Sequence, residues 1–272
     1  MALTGCATQK TTARGAVGVD RSQLMLVSEQ QLERDAAKSY RQVLAEAKKA
    51  GKLDTDPKLL ARVRRIVQRM IPQTAVFRPN APKWHWEVHV IDSDELNAWC
   101  MPGGKIVVYS GLVKKLKLTD DELAAVLGHE ISHALREHAR ERMSQAMLAN
   151  LALNIGAIAL GAGQTEQQLA AMAYNITVGL PFSRLHEEEA DRMGVELAAR
   201  AGYNPYAAVN VWKKMKKLGS GAPPELLSTH PSYDTRIHIL EKTAKRVWPL
   251  YEKARRAGAH RISHTTLMRK RV

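Results

Sequence analysis

The sequence predicts a mainly helical α+β fold with one small sheet. Three observations carry this. Ala, Leu, Lys and Arg dominate and aromatics make up only 5%, a balance that favours helix. Several stretches repeat apolar residues at helical spacing behind capping residues. Strand-like patterning is confined to residues 84–109. At 272 residues, 45% hydrophobic and 25% charged, the chain has the length for a sizeable core and the composition of an ordinary globular protein.

Residues 7–27 are polar and small without periodicity, and read as a flexible tether. Ser28 and Gln31 have capping-box spacing and open a helix that runs to about Ala50 and stops at Gly51. Asp56-Pro57 opens a second helix with Leu60, Val63, Ile66, Val67 and Met70 on one side, ended by Pro72. Residues 84–92 alternate as a strand. Ala98 to Met101, the turn Pro102-Gly103-Gly104-Lys105 and Ile106 to Tyr109 read as a hairpin. Thr119-Asp120-Asp121-Glu122 is a second capping box, acidic in the first turn as the helix dipole favours.

Met147 to Gly163 is nearly all apolar but broken by Asn and Gly, too short for a comfortable membrane span. It reads as a buried core helix with a Gly-rich loop, or as a flap or membrane-dipping segment. Further helices are expected near Glu166, over Glu187 to Ala199, after Asn204-Pro205 and from Ser232 past Trp248. The domain reading is a tether over 1–27, one globular domain over 28–250, and a frayed basic tail over 251–272.

His129-Glu130-Ile131-Ser132-His133 is the sharpest chemical signal. Residues four apart on a helix share a face, so both imidazoles can bind one zinc ion. Glu130 lies beside them as a general base toward the attacking water. Gly128, just before, is read as leaving room beside the metal. His138, nine residues from His129, falls on the opposite face of a continuous helix and is assigned to the surface or to support of a ligand. Ala139 stands where a third metzincin His would be, so that arrangement is excluded. In Glu187-Glu188-Glu189-Ala190-Asp191, Glu187 is the candidate third ligand. Asp191, one turn on, accepts a hydrogen bond from a liganding imidazole. Cys6 and Cys100 form no Cys-x-x-Cys pair, which excludes a disulfide framework and a zinc ribbon.

With these residues in view, the chain resembles the HtpX-like and CAAX-prenyl-protease-like zinc metallopeptidases, in their bacterial periplasmic lipoprotein branch. The matching segments are Asn97-Ala98-Trp99-Cys100-Met101-Pro102-Gly103-Gly104, Asp121 to His133, Ser183-Arg184 before Glu187-x-Glu189-Ala190-Asp191, and Thr229-His230-Pro231 leading to Arg236-Ile237. The resemblance implies a zincin-like fold with the hairpin beside the metal helix, and one zinc ion completed by Glu187. It implies a substrate strand near the hairpin that follows Asn97. It also implies a His at position 230 able to take the fourth zinc position and hold the enzyme inactive. Arg236 sits where the family has a cleft-facing Arg, here a candidate oxyanion stabiliser. Cys100 departs from the small apolar residue usual there, and packing is the favoured role for its thiol.

Leu3-Thr4-Gly5-Cys6-Ala7 looks like a lipoprotein site, with Cys6 lipid-modified and sorted to the outer membrane. Only five residues precede Cys6, fewer than an export leader needs, so the reading is that a leader has been removed; a chance match is the other. The net charge of +14 points to an anionic surface or simply to a solvated basic face. The expectation is therefore a periplasmic, outer-membrane-anchored zinc endopeptidase acting on unfolded or misassembled envelope proteins, without a nucleic-acid partner. Two alternatives stand beside it: a zinc protease acting on DNA-bound proteins, and a plugged, non-enzymatic holdase or assembly factor.

Overall fold

A computed structural model of the chain describes residues 8–153, 182–218 and 235–269, with the single positions 175 and 230. The order of elements is β1 (Thr8–Gln9), β2 (Gln23–Leu24), α1 (Glu29–Lys49), α2 (Pro57–Met70), β3 (Glu87–Ile91), β4 (Ala98–Met101), β5 (Lys105–Tyr109), α3 (Ser110–Lys115), α4 (Asp120–Leu135), α5 (His138–Leu153), α6 (Arg184–Arg200), α7 (Ala207–Leu218) and α8 (Arg236–Arg269). The mainly helical α+β expectation holds. Its helix starts are chemical: Ser28 accepts from Gln31 N, Asp56 from Leu59 N, and Thr119 and Glu122 close a reciprocal capping box.

The three-stranded sheet has the order β3-β5-β4, with β3 parallel and β4 antiparallel to β5. Both faces are buried, and side-chain alternation sorts them. Val88, Val90, Ala98, Cys100, Ile106 and Val108 join the main core with α2 and α4. Trp99, Met101, Val107 and Tyr109 pack with Ala36 and Tyr40 of α1. Cys100 is therefore a core residue, as its packing assignment anticipates. Gly103 and Gly104 carry the hairpin turn at φ +77° and +81°, and a Cβ on Gly104 would lie 2.7 Å from the Trp86 ring. Trp84 and Trp86 precede the strand and stack on each other, so β3 begins later than the alternation suggested.

Helices α4 and α6 cross at two glycines. A Cβ on Gly128 would lie 2.6 Å from the Gly194 carbonyl oxygen, and one on Gly194 would lie 2.6 Å from the His129 nitrogen. This corrects the role read for Gly128: the space it leaves is taken by the backbone of α6, not by a metal. The crossing sets His129 and His133 of α4 opposite Glu187 and Asp191 of α6.

Three further expectations change. Residues 8–24 are not a tether. Val17 and Val19 are buried in the main core, and Val17 N donates to Glu196 Oε2 at 2.9 Å. The tail is not frayed from 251, since α8 continues to Arg269. The α4 helix ends at Leu135, and Glu137 turns the chain at φ +54°. The continuous-helix argument about His138 fails for that reason, and His138 is fully buried beneath His133.

The apolar stretch from Met147 lies in α5 as far as Leu153, with Met147 and Leu148 exposed, so its start is not buried core. Its remainder to Gly163, the helix expected near Glu166, the 219–224 loop, Ser232 and Cys6 all lie outside the described residues. Among the described residues, no helix is long and apolar enough to cross a membrane.

Replacing Gly194 by Ala drives a methyl into backbone that cannot step aside. The expected cost is about 1–3 kcal/mol, with the zinc content of the purified protein falling as α6 is displaced. Thermal unfolding and elemental analysis of Gly194→Ala check both.

Candidate metal centre

Four side chains converge. His129, His133, Glu187 and His230 each offer one donor atom, all within 4.8 Å of one another. His129 Nε2 lies 3.1 Å from His133 Nε2 and 3.2 Å from His230 Nδ1. Glu187 lies 3.4 Å from each of His129 and His133 and 2.9 Å from His230 Nδ1. Donors about 2.0–2.1 Å from a tetrahedral zinc stand roughly 3.3 Å apart. The set matches that edge length and the nitrogen and oxygen chemistry zinc favours, so the residues fit the ion.

The surroundings orient the donors. His129 Nδ1 lies 2.8 Å from Asp191 Oδ1, the bond the sequence spacing anticipates. Arg236 is fully buried. It donates through Nε and Nη2 to Asp191 at 2.6 and 2.8 Å, pairs through Nη1 with Glu187 at 2.8 Å, and lies 3.7 Å over the Trp212 ring. Its guanidinium is thus spent on the carboxylates behind the imidazoles, whereas the sequence had it facing the cleft.

Charge follows from these contacts. Burial holds His133 well below the ordinary imidazole range. Burial acts the same way on His129, but Glu187 and Asp191 overcome it and raise His129 to about 10. Glu187 and Asp191 titrate below the usual carboxylate range despite burial, because imidazoles face Glu187 and Arg236 faces Asp191. Burial raises Glu130. It also pushes the Cys100 thiol well above its usual value, which keeps it protonated and unfit as a metal ligand.

Two hollows flank Glu130. One is lined by Cys100 and Pro102 of the hairpin with His133, Ala134 and Phe182. The other is mostly apolar, with Val126, Val195, Val211, Trp212, Met215 and Leu240 beside His129 and His230. Asn97 is buried at the start of β4, where its Oδ1 accepts from Ala98 N. Among the described residues, no hydrogen bond joins it to the four donors.

Comparison with known proteins gives the class. Residues 57–244 match Peptidase family M48. The chain belongs to this family. Mitochondrial metalloendopeptidase OMA1 of Arabidopsis thaliana is 41% identical over 57% of the chain and 31% of its own length. Metalloendopeptidase OMA1, mitochondrial, of Bos taurus is 32% identical over 82% of the chain and 44% of its own length. The beta-barrel assembly-enhancing protease of Escherichia coli K12 is 28% identical over 73% of the chain and 41% of its own length. The chain spans less than half the length of these relatives. M48 membership places the chain among the family M48 peptidases, and its donor cluster could hold a metal ion, so the resemblance drawn from the motifs holds at the level of the family.

A second polar layer backs His133, and of its members the sequence reading offered a supporting role only to His138, as one of two alternatives. His138, Glu189, Glu141 and His186 are buried next to His133, with Arg136 and Arg21 among them. His138 and Glu189 stand close in sequence to the motifs, so their spacing held a signal. Arg21 lies more than a hundred residues from its partners, and no local pattern marks it.

Glu187 and Asp191 favour the protonated form of His129, so a zinc ion that binds among these donors displaces a proton. Zinc uptake near pH 7.5 is therefore expected to release about one proton per chain. Calorimetric titration in buffers of different ionisation enthalpy counts it.

Proposed function

We propose that the chain hydrolyses peptide bonds in unfolded or misassembled cell-envelope proteins. In this reading His129, His133 and Glu187 are the zinc ligands, Glu130 is the general base, and His230 holds the fourth position in the resting state. The observation that carries it is Glu130 Oε1. This oxygen is buried, has no hydrogen-bond partner among the described residues, and borders the donor cluster and both hollows.

A bound zinc ion supplies Lewis acidity and lowers the pKa of water to about 7. Glu130 takes a proton at its carboxylate from the attacking water and returns one to the leaving amine. Its burial favours the protonated form and suits a carboxyl that must hold that proton between the two transfers. Asp191 keeps a proton on His129 Nδ1, which leaves the lone pair on Nε2 for a metal ion. Arg236 acts here by orienting Asp191 and Glu187, since the contacts of its guanidinium run to those carboxylates.

A peptide laid along β4, after Asn97, would extend the sheet and pass Glu130. Among the described residues β4 pairs on one side only, which supports this path. The envelope role draws on the bacterial relatives named for enhancing β-barrel assembly, and equally on the Leu3-Thr4-Gly5-Cys6 pattern as an outer-membrane lipid anchor of the periplasmic lipoprotein branch. The mitochondrial relatives share the catalytic class in another compartment.

A specific observation favours a plugged resting state. His230 Nδ1 approaches Glu187 and His129, and its Nε2 lies 3.6 Å from Glu130 Oε1, where water must stand for the reaction.

Zinc content and casein hydrolysis test the whole reading. Glu130→Gln is expected to keep one zinc per chain and lose about 10²–10⁴-fold in turnover. Wild-type cleavage by that variant would remove Glu130 from the role. His230→Ala is expected to raise hydrolysis; flat or lower activity would deny the plug.

A further inference from the structure

We infer that residues 8–24, which lie outside the family-matched segment, are a working part of the metal centre, with Arg21 as a positioning residue for His133. The inference rests on the zinc-site reading above and extends it to an element that reading does not use.

The chain of contacts begins at His133. Its Nδ1 lies 2.9 Å from His138 Nδ1, and His138 Nε2 lies 3.0 Å from Glu189 Oε2. Both Glu189 oxygens accept from guanidinium N–H groups, so Glu189 stands here as an acceptor and His138 carries its proton on Nε2. His138 Nδ1 is then an acceptor, and the proton between the two rings belongs to His133 Nδ1. That leaves the lone pair of His133 Nε2 directed at the donor cluster. Each tautomer follows from the one before it, and the series starts at Glu189. His129 reaches the same state by one direct bond to Asp191, whereas His133 depends on an intermediate imidazole.

Glu189 is buried, and so is Glu141 beside it. Arg21 holds both. Its Nε and Nη2 donate to Glu189 Oε1 and Oε2, each at 2.9 Å, and its Nη2 donates to Glu141 Oε2 at 2.7 Å. Arg136 gives Glu189 one further contact at 3.2 Å, and Glu141 also accepts from Gln23 at 2.8 Å and meets His186 at 3.1 Å. Buried carboxylate oxygens need donors, and Arg21 supplies most of those that fix Glu189 in place. Without Arg21, Glu189 loses the grip that aims its Oε2 at His138 Nε2.

The strap bearing Arg21 is anchored for this task. Thr11 Oγ1 and Gln23 Nε2 donate to the Arg136 carbonyl at 3.1 and 2.8 Å, just where α4 gives way to α5. Leu26 N donates to Ser144 on α5 at 2.9 Å. The family segment begins at residue 57, so this support is added to the metallopeptidase core from outside it.

The test is zinc affinity by chelator competition on the full chain, at a fixed pH where circular dichroism shows each variant folded, with thermal unfolding of the zinc-free forms alongside. Arg21→Ala and His138→Phe are expected to weaken zinc binding by about 10-fold or more. His138→Asn, whose Oδ1 can accept from His133 Nδ1, is expected to recover most of what Phe loses. Arg21→Lys keeps the charge, loses the two-pronged grip, and serves in place of Ala should that variant not fold; a drop of several-fold is expected. If both Arg21 variants lower the melting temperature but bind zinc as the wild type does, the strap is a structural clasp and the inference is overturned. If His138→Phe binds zinc normally, the imidazole relay is wrong. Failure of the wild type to bind zinc would instead sink the metal-centre reading itself.

Discussion

The close crossing of α4 and α6 at Gly128 and Gly194 is the constraint on which the rest of the centre depends. Neither position has room for a side chain, because the atoms in the way are backbone. With the helices this near, an imidazole and a carboxylate from different helices stand 3.4 Å apart, the spacing a shared cation needs. A wider crossing would leave the same residues in the same sequence order with their donors out of reach of one ion. Each helix contributes its pair by simple four-residue spacing, but the assembly is a property of the crossing.

Around that crossing the protein solves the cost of burying charge twice. On one side Arg236 lies over Trp212 and holds Asp191 and Glu187, so His129 is oriented by a carboxylate that is itself fixed. On the other side Arg21 and Arg136 hold Glu189 behind His138, so His133 is oriented at one remove. In both cases an arginine fork satisfies the carboxylate's two oxygens, which a lysine's single ammonium matches less well. The arrangement leaves Glu130 Oε1 without a hydrogen bond among the described residues, whereas Glu187 Oε2, which also lacks one, is held by the Arg236 guanidinium at 2.8 Å.

Where sequence reading succeeded, the determining interactions are local. The capping box at Thr119 and Glu122, the cap at Asp56 and the turn at Gly103-Gly104 are set within a few residues, and each formed as its pattern implies. The pairing of Asp191 with His129 was legible because two helical periodicities, each local, meet at one motif. Where it failed, a single distant or backbone event decided. The reading of His138 assumed that the helix ran on, but the left-handed turn at Glu137 folds that residue under His133. Arg236 was given a cleft-facing role, and two carboxylates of α6 and the Trp212 ring of α7 claim it instead.

By itself the sequence determined the mainly helical class, the principal capped helices and the residue types of the candidate metal cluster, because caps, periodicity and four-residue spacing act over one or two helical turns. Only the tertiary structure decided that residues 8–24 belong to the domain, that Gly128 serves a helix crossing, and that His133 is supported through His138 by Glu189 and Arg21. The physical reason is the same in each case. Burying a charge or closing two backbones requires a partner that no nearby residue supplies, and the identity of that partner is fixed by packing across the fold, not by spacing along the chain.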